Sequence, residues 1–85
     1  MKRYRIKTAG ASMPASCWGT YRRIAIVELE PGHDDVARID ARAKGCARIV
    51  ATWERLSVGK TERCAYARAM REAEAFLGSL EGEDR

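Results

Sequence analysis

The first 23 residues of this 85-residue chain hold no acidic side chain, while Lys2, Arg3, Arg5, Lys7, Arg22 and Arg23 supply six positive charges. From Ile24 onward ten basic residues face twelve acidic ones, so the formal net charge of +4 belongs to the N-terminal quarter. Long apolar runs are lacking too. Nothing approaches the ~18 uninterrupted apolar residues of a membrane span, and Met1-Lys2-Arg3-Tyr4-Arg5 does not lead into the hydrophobic region of a secretion signal. The expected location is the cytoplasm, with no membrane partner.

Cysteine is sparse and unpaired in pattern. Cys17, Cys46 and Cys64 are an odd number with no close spacing, which fits reduced thiols better than a disulfide framework. Together with the single histidine, His33, they total four nominal zinc ligands, but no two stand at the spacing that lets one turn hold two ligands. A Cys17–His33 nucleophilic dyad lacks a third group to orient the imidazole and a recognisable oxyanion site. Gly59-Lys60-Thr61 looks like the end of a phosphate-binding loop, yet Glu54 stands where that loop needs its first glycine. The acid pairs Asp34-Asp35 and Glu72-Glu74 read as helix first-turn acids and a solvated helix face. The reading is therefore of a non-enzyme without cofactor or metal.

What is present suits a folded domain. Apolar residues make up 46% and charged residues 33%, enough for one alanine-rich, shallow core over residues 1–80. Residues 81–85, all charged or glycine, make a flexible acidic tail. Lys2 to Thr8 alternates Tyr4 and Ile6 with Arg3, Arg5 and Lys7, which predicts a half-buried strand with a basic face. Ala9 to Gly19 reads as a long loop ending in Cys17-Trp18-Gly19. Thr20 to Glu30, rich in β-branched residues, predicts a second strand with apolar groups on both faces at its middle.

Pro31-Gly32 ends that strand, and His33-Asp34-Asp35 reads as a helix start. Val36, Ile39, Ala43, Cys46, Val50 and Trp53 recur three and four apart, which predicts a helix to about Ser57, kinked or weakened at Gly45. The alternative ends a short helix at Gly45 and makes Ala47 to Val58 a third strand. A turn over Val58 to Thr61, with Thr61 as N-cap, leads to a last helix from Glu62 to about Leu80, striped by Tyr66, Met70, Ala73, Leu77 and Leu80. The fold class is thus α+β: a two-stranded antiparallel β-hairpin packed on an αα-hairpin, or alternatively ββαβα with a three-stranded sheet.

One cluster stands out for function. Arg3, Arg5 and Lys7 share a strand face, Arg22 or Arg23 can join them from the neighbouring strand, and Trp18 and Tyr21 lie close as stacking or anchoring groups. These seven residues form the expected partner-binding site. The same composition suits nucleic acid or a protein surface, and a homodimer would cover exposed helical stripes. Gly59 to Leu77 resembles the closing strand-to-helix segment of double-stranded-RNA-binding domains, with Glu62 where that family places a phosphate-contacting base. As a whole, the 85 residues, the Ala- and Arg-rich run from Ala41 to Met70 and the strand-then-helix order resemble small accessory proteins of phages and prophages. Among these are anti-CRISPR inhibitors. That resemblance implies a non-catalytic inhibitor or adaptor acting by protein contact on a host nucleic-acid-handling complex.

Overall fold

Ile24, Ala25, Ile26 and Val27 follow one another without a polar break, so a strand through them presents hydrocarbon on both faces and requires cover on both sides. The computed structural model, which describes residues 2–12, 20–57 and 64–83, places them at the centre of a three-stranded antiparallel sheet. Its strands are β1 (Tyr4–Ser12), β2 (Thr20–Leu29) and β3 (Cys46–Ser57), in spatial order β1-β2-β3, and one helix follows, α1 (Ala65–Glu83). All four residues are fully buried.

Each face of the sheet has its own cover. Ile24 and Ile26 pack under α1 against Ala69 and Ala73, with Tyr4, Ile6, Val50, Trp53, Leu56, Tyr66, Met70, Leu77 and Leu80 around them. The helix face is the stripe read from the sequence, and the alanines let the helix lie close to the sheet. Cys64 precedes α1, and its Sγ accepts the Ala67 amide at 3.2 Å, the service an N-cap side chain performs. The expected N-cap, Thr61, lies outside the described residues. On the opposite face Val27, Leu29 and Cys46 are covered by Val36 and Ala43, with Ile49 alongside. These two anchors belong to residues 30–45, an irregular strap crossing that face.

The strap corrects the expected first helix. Glu30 to His33 form a turn closed by the His33 amide on the Glu30 carbonyl at 3.1 Å, with Gly32 at φ 87°, as a type II turn with proline at its second position requires. The side chain of Asp35 then accepts the Val36 amide at 2.8 Å, and that of Asp40 accepts the Arg42 amide at 2.9 Å. Such local bonds offer the backbone an alternative to helix, and here they prevail. Gly45, at φ 90°, ends the strap, and its carbonyl accepts the Glu30 amide at 2.8 Å.

The expected αα-hairpin is likewise absent from the described residues, because the apolar stripe over 46–57 belongs to a strand. Tyr21 to Leu29, nine residues, lie against Cys46 to Ser57, twelve residues, with three register shifts along the pair. Each shift places an extra residue on β3, a β-bulge that re-aims the side chains after it. Val50, Trp53 and Leu56 thereby all reach the α1 side, while Ile49 reaches the strap side. Spacing by three, the mark of a helix face in a regular chain, arises here from a bulged strand. The two-stranded hairpin becomes three strands, as in the alternative reading, and no helix stands between β2 and β3.

Candidate interaction face

The β1–β2 register is unbroken from Tyr4↔Glu28 to Ser12↔Thr20, so alternation along β1 is strict. Ile6 lies opposite Ile26 on the α1 side, and Arg5 and Lys7 lie opposite Val27 and Ala25 on the strap side. Arg3, whose carbonyl accepts the Leu29 amide at 2.8 Å, continues the same row. The basic face read from the sequence is thus one ladder. It faces the strap.

The ladder is paired within the molecule. Arg3 hydrogen-bonds the carboxylate of Asp34. Arg5 Nε and Lys7 Nζ approach the same oxygen of Asp35 at 3.1 and 3.0 Å. The Arg3 guanidinium, by hydrogen bond first and charge second, holds the Asp34 carboxyl below its usual range. The Lys7 ammonium, aided by the Val36 amide, does the same for Asp35. Three cations against two carboxylates leave one formal positive charge. The result is a half-exposed surface of interleaved sign.

These pairs bind the strap to the sheet, and the depressed pKa values fix how that attachment depends on pH. Carboxylates that are more acidic folded than unfolded contribute fully above their ordinary pKa of 3.8 and lose the contribution as pH falls through the lower folded values. Methyl resonances of Val36 and Ala43 are therefore expected to stay constant from neutral pH to about 4 and to shift only below it. A shift between pH 5 and 7 instead would mean that the Asp34 and Asp35 carboxylates do not govern the strap.

The remaining expected site residues separate. Arg23 joins the strap side: its guanidinium donates to the Ile39 carbonyl at 3.4 Å, and its Nε lies 3.1 Å from Glu54 Oε1. That last contact is charge proximity without hydrogen-bond geometry, since this buried Nε has no hydrogen-bond acceptor among the described residues. Arg22 points the other way, over the Tyr66 ring at 5.4 Å from its centroid, and is not part of the ladder. Tyr21 lies within β2, opposite Ala11 and Ser57. Trp18, Cys17 and the Gly59-Lys60-Thr61 turn lie outside the described residues.

Two features escaped the sequence reading. Asp34 and Asp35 looked like first-turn acids and are instead the ladder's counter-charges. The usable signal was the antiparallel geometry: a turn directly after Leu29, which lies across from Arg3, carries the next acids back alongside β1. The second is Phe76, 42% exposed and packed edge-on against Trp53 at 6.4 Å between ring centroids. Trp53 also donates its indole N–H to Glu72 at 3.2 Å.

The two described thiols, Cys46 and Cys64, serve structure. Cys46 is buried beneath the strap, and desolvation, first among its causes, pushes its thiol pKa up, away from nucleophilic thiolate. Among the described residues no three His, Cys, Asp or Glu side chains converge as a metal site. No helix among them is long and apolar enough to cross a membrane. The arrangement is a small α+β domain, with a three-stranded antiparallel sheet between one helix and a charged strap. Neither a family model, nor a curated protein, nor a solved structure matches the chain.

Proposed function

We propose that this protein is a small non-catalytic binding protein, an inhibitor or adaptor of the phage or mobile-element kind, acting by protein–protein contact on a host nucleic-acid-handling complex. The observation that carries the reading is the pairing of Arg3, Arg5 and Lys7 with Asp34 and Asp35. A polyanion is captured by unopposed cations that displace its counterions. A surface of paired charges with one cation in excess instead suits a protein partner that sets acidic groups at fixed positions, which fixes register and suppresses wrong partners. Arg3 and Arg5 keep about half their side-chain surface exposed, so they remain available to such a partner.

The test compares the protein with its Asp34→Asn/Asp35→Asn variant in binding to single-stranded and duplex oligonucleotides across a salt series. The wild type is expected to bind weakly with a shallow salt dependence. The variant, with three cations unmasked, is expected to gain affinity with a log–log salt slope of about −2 to −3. Strong, steeply salt-dependent binding by the wild type would reject protein contact in favour of a nucleic-acid-binding domain. Recovery of a defined protein partner from nuclease-treated bacterial lysate, in a fixed ratio to the bait, supports the reading.

A further inference from the structure

We propose that the outer edge of β1 is a docking site for an extended acidic segment of the partner protein, which adds to the sheet as a fourth strand with its carboxylates on the side of Arg3, Arg5 and Lys7. This rests on the protein-contact reading and names the chemistry of the partner.

Among the described residues the edge is open and straight. The sheet order β1-β2-β3 leaves β1 with a single neighbour among the described residues, and its nine pairs with β2 run without a bulge. The backbone groups on the open side follow from one hydrogen bond. Arg3 offers its carbonyl inward to the Leu29 amide, so Arg5, Lys7 and Ala9 also point inward, and Tyr4, Ile6, Thr8 and Gly10 turn theirs outward. Those outward groups form a template for strand addition.

The side chains state what the added strand must carry. On the strap face the ladder holds one cation more than its two carboxylates neutralise. On the α1 face Tyr4 and Ile6 sit at the margin of the core and are only partly buried. A segment alternating acidic and apolar residues satisfies both faces at once. A second copy of this chain does not: antiparallel pairing of β1 with its own twofold copy sets ladder beside ladder on one face, where like charges repel. Nucleic acid has no backbone to complete a β-ladder. The edge of β3, bent by three bulges on that strand, offers no straight template.

The experiment titrates the full chain with a terminally blocked Glu-Val-Glu-Ile-Glu-Val-Glu peptide and follows backbone amides by NMR and hydrogen exchange. The Ile6 and Thr8 amides are expected to exchange at least about tenfold more slowly in the complex. Thr8→Pro removes one outward N–H at an exposed edge position where proline is tolerated, and it is expected to abolish binding while the β1–β2 amides keep their protection. Arg5→Glu is expected to weaken binding about tenfold or more. A peptide of the same composition with its glutamates in one block should bind more weakly. Absence of binding, binding that leaves Ile6 and Thr8 unprotected, or undiminished binding to folded Thr8→Pro protein overturns the proposal. An oligonucleotide is titrated in parallel: tight binding of it at the ladder overturns the protein-contact reading, whereas failure of the peptide alone overturns only the docking site.

Discussion

Substituting valine for Gly45 is expected to cost about 2–4 kcal/mol, a large part of the stability of so small a domain. Two effects add. The residue sits at φ 90°, in the left-handed region that side chains with a Cβ rarely enter. A Cβ there would also lie 2.8 Å from the Asp35 carbonyl oxygen and 3.0 Å from His33 Nδ1, and the first of these is backbone that cannot swing aside. Gly32 provides the control, because it has φ 87° but no described residue within 4 Å of the point where a Cβ would stand. Gly32→Val should therefore cost only the backbone strain, about 1–2 kcal/mol. Urea unfolding of the two variants measures the difference. Equal costs would show that the close approach of Gly45 to Asp35 and His33 is not enforced in solution.

Ile26→Ala is expected to cost about 3–4 kcal/mol, since Ile26 is fully buried beneath α1 and its removal leaves a cavity in a core with few large side chains. Val27→Ala, one residue on but facing the strap, should cost about 2 kcal/mol. The two faces have separate reporters. Trp53 lies on the α1 side, so its fluorescence, read in a Trp18→Phe background, should change with Ile26→Ala and little with Val27→Ala. Cys46 lies under the strap, so its labelling by a thiol reagent, read in a Cys17→Ser/Cys64→Ser background, should quicken with Val27→Ala. Reversal of the two reporters would contradict the assignment of faces.

The elements whose pattern obeys one period were legible in the sequence. Thr20–Leu29 announced itself by the clustered β-branched residues Ile24, Ile26 and Val27, and α1 by Tyr66, Met70, Ala73, Leu77 and Leu80 on one stripe. Tyr4 and Ile6 against Arg3, Arg5 and Lys7 gave the ladder its single face. The segment 46–57 misled because each bulge adds a residue to the two-residue strand period, and Val50, Trp53 and Leu56 then imitate a helix. The strap misled differently. His33-Asp34-Asp35 carries good helix-start chemistry, but long-range partners decide its conformation: Arg3 binds Asp34 from 31 positions away, and Lys7 binds Asp35 from 28. No window-sized pattern contains both ends of such a pair. For the same reason the ladder was visible and its pairing with Asp34 and Asp35 was not.

The two edges of the sheet differ in a way that sets the limits of any assembly. β1 is straight and runs nine residues in unbroken register, whereas β3 is crooked, with three extra residues worked into its length. A strand accepted at β1 meets a template, but the far side of the molecule does not hand that template on. Growth by edge-to-edge stacking is therefore expected to stop after one addition. A domain with one straight edge and one bulged edge is expected to cap β-polymerisation rather than seed it.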